Sequence, residues 1–139
     1  MNVLTKNIKW LMLVSGALTC TMVYAAIAPD AALTSTFGQT LDGPVAAVVV
    51  RNWGALIALV GGMLIYGAFH APSRPLALTV ATLSKVVFIT LVLSQGQQFM
   101  AYQAGQAVMI DSVMVALFVL YLLGSPRATP QPKNEPVGV

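Results

Sequence analysis

Cysteine, charge and catalytic signatures are what this sequence has least of. Cys20 is its single cysteine, so no intrachain disulfide and no cysteine-pair metal site can form. Charged residues make up 8% of the 139 positions, and only four of them are acids. With 58% hydrophobic residues and a mean hydropathy of +0.82, the chain lacks the polar residues needed to cover a water-soluble surface of this size. A lipid-facing surface removes that difficulty. There is no phosphate-cradling glycine loop, no Cys-x-x-Cys, no histidine pair and no closely spaced carboxylates. No catalytic residue and no metal ligand set is therefore read from it. The seven Lys and Arg give a net charge of +3 and a pI near 9.3, but they are scattered, with no basic stripe. Nucleic acid is not the expected partner; the positive balance reads as membrane topology.

What the chain does have is long apolar runs. The organising one is residues 51–70, RNWGALIALVGGMLIYGAFH, bounded by a polar Arg-Asn pair and a His-x-Pro turn. Helices are expected over about 8–28, 45–69, 76–93 and 107–123, giving an all-α integral membrane protein, an antiparallel bundle of four transmembrane helices. The first run is about 21 residues, roughly 31 Å as a helix, enough to span. A cleaved signal is its competing reading, because Ala25, Ala26 and Ala28 resemble a cleavage site, but Pro29 would follow the cut directly. Residues 30–44, DAALTSTFGQTLDGP, read as a solvated connection, with Phe37 and Leu41 lying across the outer mouth as the alternative. Residues 70–75 form a tight turn whose two prolines keep the second and third helices apart. In residues 94–106 the glutamines suit a loop, although Gln95, Gln98, Tyr102 and Gln106 have helical spacing and suit an extension of the flanking helices. Residues 126–139 read as a flexible cytoplasmic tail.

Orientation follows from the bases. Lys6, Lys9, Arg74, Arg127 and Lys133 share one side of a four-span chain, while Arg51, Asp30 and Asp42 share the other. Both termini are therefore expected to be cytoplasmic. Trp10, Tyr66 and Tyr121 mark the inner boundary, and Tyr24, Trp53 and Tyr102 the outer one.

Three ionisable residues fall at membrane depth: Arg51, Lys85 and Asp111. An unpaired charge near a helix centre costs on the order of 3 kcal/mol, so Lys85 is expected to face the interior and pair with Asp111. Arg51 and Asn52 are expected to complete the patch in the outer half. Two readings stay open: an ion pair that fixes helix register, or a site for a polar headgroup, a quinone or a proton. Gly54, Ala58 and Gly62 form a small-residue face for helix packing, as do Gly16 and Cys20 in the first helix; homodimerisation or partner binding is the alternative use. His70 reads as a helix-end or headgroup contact. Ser84 adjoins Lys85, but neighbours on a helix point about 100° apart and do not form a nucleophile pair.

The order of these features resembles the DoxX-like group of small bacterial four-helix membrane proteins. The resemblance rests on Ala28-Pro29 closing the first helix, Arg51 with Trp53-Gly54 opening the second, Arg74-Pro75 before the third, Lys85 within it, Gly96 after it and Asp111 opening the fourth. It covers residues 8–123. Where relatives carry Arg in the third helix and Glu in the fourth, Lys85 and Asp111 keep the charges and change their reach. The resemblance implies a bacterial inner-membrane protein. Its namesake's link to thiosulfate and quinone oxidation finds no support in these residues. A weaker similarity is to the four-helix scaffold of ergosterol biosynthesis, which tethers enzymes. The leading expectation is thus a non-catalytic scaffold or accessory subunit, with the bilayer and another membrane protein or a second copy as partners and no cofactor. The alternative is a binder of a small lipophilic ligand, a quinone or lipid, at Arg51, Lys85 and Asp111.

Overall fold

The computed structural model describes residues 2–124, so the expected tail at 126–139 lies outside the described residues. Among the described residues the chain is helical apart from its turns and an irregular stretch at 38–43. Its elements are α1 (Asn2–Cys20), α2 (Val23–Ile27), α3 (Pro29–Phe37), α4 (Pro44–Phe69), α5 (Arg74–Ser94) and α6 (Gln103–Gly124). Two 3-10 turns, Ala71–Ser73 and Gly96–Phe99, join the last three helices. Four stretches are long and apolar enough to cross a membrane: Val3–Ile27, Pro44–Phe69, Ala71–Ser94 and Gln103–Gly124.

The first of these is interrupted. At Thr21 and Met22 the amide bonds switch to carbonyls three residues back, Leu18 and Thr19, and the Thr21 hydroxyl donates to the Leu18 carbonyl at 2.6 Å. That tightening separates α2 from α1. A second departure from expectation follows, because residues 29–37 are a helix and not a solvated loop. Pro29 occupies its first turn with Asp30 beside it, and Gly38 ends it in the left-handed conformation at φ 71°. These are ordinary start and stop signals. Ala32, Leu33 and Thr36 are buried, so α3 lies against the bundle.

The small-residue face of α4 packs against α1 and α2, with one correction to its membership. A Cβ on Gly61 would lie 2.7 Å from the Cys20 amide nitrogen and 2.8 Å from the Gly16 carbonyl, while one on Gly54 would meet Ala25, Ala26 and Met22. Gly62 faces open space. Eight residues turn a helix about 80° away from its starting face, whereas seven bring it back within about 20°, so Gly61 and not Gly62 continues the line from Gly54. Ala58 belongs to it, its carbonyl accepting from the Cys20 thiol at 3.5 Å. Partners on α4 fall in number as positions on α1 and α2 rise: Met12 meets Gly67, Gly16 meets Gly61 and Ile65, and Ala25 meets Gly54.

Arg74 fixes the turn between α4 and α5 by donating to the Gly67 and Ala68 carbonyls at 3.1 and 3.2 Å. These are orphan acceptors of the helix end, and a cation there complements the helix dipole. His70 sits at the same end, 2.7 Å from the Ser73 hydroxyl and stacked on Tyr66.

Buried apolar residues gather in three clusters. At one end Ile8, Met12, Leu64, Ala68, Leu78, Ala81 and Phe118 join α1, α4, α5 and α6. At the other, Ala25, Ala32, Leu33 and Val50 form one group, and Val92, Ala104 and Val108 another, with Phe37 packed against both. Between these levels, residues of α1, α3, α4, α5 and α6 line a chamber.

Candidate functional site: an ion pair in a four-helix chamber

Lys85 lies one helical turn beyond the buried Ala81, and Asp111 two turns before the buried Phe118, so α5 and α6 bring them to one level. The Lys85 ammonium donates to the Asp111 carboxylate, and it also lies 3.5 Å from the Thr19 hydroxyl on α1. Their side chains are 11% and 17% exposed. The pair is neither packed over nor on the surface. It stands in the wall of a cavity of about 320 Å³ bounded by α1, α3, α4, α5 and α6.

The wall is mixed. Leu18, Met22, Ile57, Val60, Phe88, Ile110 and Met114 supply apolar surface, while Ser15, Thr19, Thr21, Thr36, Ser84, Gln103 and Gln106 bring hydroxyls and amides. An apolar chamber with a few convergent polar groups is the usual form of a small-molecule site. Ser15 is 1% exposed, and its hydroxyl has no hydrogen-bond partner among the described residues. Serine in a membrane-type helix ordinarily bonds the carbonyl four residues back; here that bond is not made. A second cavity of about 260 Å³ adjoins the first, with Trp53 and Phe88 lining both. Its remaining wall is Phe37, Leu91, Val92, Gln95 and Phe99, and Phe37 contacts Trp53 and Phe99 with ring centroids 6.0 and 5.3 Å apart.

The four expected site residues do not come together as a set. Lys85 and Asp111 meet, but Arg51 and Asn52 are exposed and line neither cavity. Arg51 instead donates to the Ala26 carbonyl at 2.8 Å, tying α4 to the end of α2. Helical phase explains this: Arg51 is about 180° from Val60, which faces the chamber, and within about 20° of Ala58, which faces α1. Asn52 shares the phase of Leu59, which is 69% exposed.

Ser15, Thr19, Thr36 and Trp53 were not expected in the site. Ser15 and Thr19 are one turn apart in the apolar second half of α1, a hydroxyl pair on one face, and that spacing was the available signal. Trp53, expected at the outer boundary, turns inward to divide the two cavities. Ser84 lines the chamber, but the ammonium beside it in sequence reaches Asp111 and Thr19. The chain matches no family model, no curated protein and no solved structure.

Proposed function

We propose that this chain is an inner-membrane protein, an antiparallel bundle of four transmembrane helices with cytoplasmic termini, which binds a small lipophilic molecule beside Lys85 and Asp111. One observation carries the reading: the ion pair borders a cavity of about 320 Å³. A pair retained only to fix helix register works best when closely packed, because open space beside it weakens both its packing and its register. A pair in a chamber wall is placed to meet a ligand. Membrane insertion is supported by the exposed apolar surface, with Val48, Leu59, Val87 and Leu120 each more than half exposed. In water such a surface would associate; in a bilayer it meets lipid. The order of motifs resembles the DoxX-like group, and a quinone is one lipophilic ligand of suitable chemistry.

A scaffold function is the second reading, favoured by α6. Only 11% of its most apolar window is buried, and Met109, Val113, Leu120 and Leu123 are exposed. That face suits another membrane protein or a second copy as well as lipid.

Native mass spectrometry of protein gently extracted from its own membrane, wild type against Asp111→Asn, separates the two. A small molecule retained by the wild type and lost by the variant supports the ligand site. A protein partner retained by both, with no small molecule on either, supports the scaffold.

A further inference from the structure

Given the ligand-binding reading, on which this inference rests, the chamber's chemistry selects among ligands. Lys85 is the one cation among the described residues that line it, and Asp111 already matches that charge. The wall is therefore neutral as a whole. An anionic headgroup would have to displace Asp111 from Lys85 or lie unpaired beside a carboxylate, and in a medium of low dielectric either is costly. Arg51 offers no relief, being turned to Ala26 outside the chamber. An uncharged head meets neither penalty.

Ser15 adds a positive requirement. Ser15 lines the chamber and its hydroxyl is buried with no partner among the described residues; a buried polar group left unpaired costs stability until something bonds it. A hydroxyl can donate and accept at once, so a hydroxyl on the ligand complements both Ser15 and the outward side of the ion pair. Size and route complete the picture. The chamber's volume of about 320 Å³ is at the lower end of small-molecule pockets, enough for a small head and the first carbons of a chain. Past Trp53 and Phe88 the second cavity has an almost wholly apolar wall, and Leu91 in it is 60% exposed, on the outside of the bundle. A hydrocarbon chain finds there a dry path toward lipid.

We infer that the chamber takes a single-chain amphiphile with an uncharged, hydroxyl-bearing head. The head is seated at Ser15 beside Lys85 and Asp111, and the chain leaves between Trp53 and Phe88 into the cavity under Phe37.

The test uses the full chain in phosphatidylcholine nanodiscs with two photoactivatable probes that share one diazirine-bearing acyl chain, a monoacylglycerol and a lysophosphatidate. Crosslinks are mapped by peptide mass spectrometry and normalised to Leu59, which faces away from the chamber. The monoacylglycerol is expected to label Trp53 and Phe88, and Ser15→Ala is expected to lower that labelling about five- to tenfold, the worth of one buried hydrogen bond. The lysophosphatidate is expected to stay at background. Ser15→Ala removes only an unpaired hydroxyl, so its unfolding temperature without probe should not fall, which guards against misfolding as the cause. Equal or stronger labelling by the lysophosphatidate, or monoacylglycerol labelling indifferent to Ser15→Ala, would overturn the uncharged-head inference and leave the ligand site standing. Labelling of Trp53 and Phe88 by neither probe would overturn both.

Discussion

The Lys85 ammonium reaches the Asp111 carboxylate across the α5 and α6 interface, 26 positions away in sequence. Removing either partner leaves the other charge in a poorly solvated place. Lys85→Met and Asp111→Asn should each lower stability by about 3 kcal/mol, measured by reversible unfolding in detergent micelles. The double variant Lys85→Met with Asp111→Leu should recover most of that loss. Additive losses would show that the two charges do not depend on each other.

Neighbouring glycines on α4 give a sharper contrast. Gly61→Ala pushes a methyl group into the Cys20 and Gly16 backbones and should cost about 1–3 kcal/mol. Gly62→Ala meets nothing and should be neutral or slightly stabilising, since alanine is the better helix former. Equal effects in the same unfolding assay would remove the close packing of α1 on α4.

The turn after α3 is held by Gly38. Its φ of 71° disfavours any side chain, and a Cβ there would run into the Tyr102 ring. Gly38→Ala should lower stability by about 1–2 kcal/mol, and adding Tyr102→Ala should return only part of it, because the backbone strain stays. Full recovery in the double variant would mean that the clash alone matters.

Orientation is open to direct labelling. In a Cys20→Ser background, Asp42→Cys should react with a membrane-impermeant maleimide on intact cells, and Ala71→Cys only after the cells are broken. The reverse pattern would invert the topology read from Lys6, Lys9 and Arg74.

The four long helices were legible in the sequence because each is a continuous apolar run closed by proline, glycine or polar residues, and the expected bounds differ from the observed ones by a few residues at most positions. The first run is the exception, since α1 begins at Asn2 and breaks at Thr21, where a threonine hydroxyl competes for a helix carbonyl. The pairing of Lys85 with Asp111 followed from depth and from the cost of an unpaired charge. Arg51 does not join them, because helical phase turns it toward the Ala26 carbonyl: nearness in depth does not set which side of a helix a residue faces. Gly62 was misplaced for the same reason, an eight-residue spacing standing where a seven-residue one was needed. Helix α3 was hidden by composition, for its Thr and Ser content reads as loop, while Pro29, Asp30 and Gly38 carried the start and stop signals. The chamber itself could not be read, because a cavity is what the meeting of five helices leaves over, and no local pattern encodes it.

On the proposed reading, Lys85 and Asp111 border a ligand site and do not merely lock the bundle. The most direct measurement is native mass spectrometry of the charge-reversed double variant, Lys85→Asp with Asp111→Lys, beside the wild type, both extracted from the native membrane. The reversal preserves an ion pair between the same helices but exchanges donor and acceptor within the chamber. The expected result is a folded variant with wild-type unfolding behaviour that no longer carries the small molecule the wild type retains. A variant that folds and carries the same molecule in the same amount, or a wild type that carries none, would contradict the claim and leave the pair as a folding device.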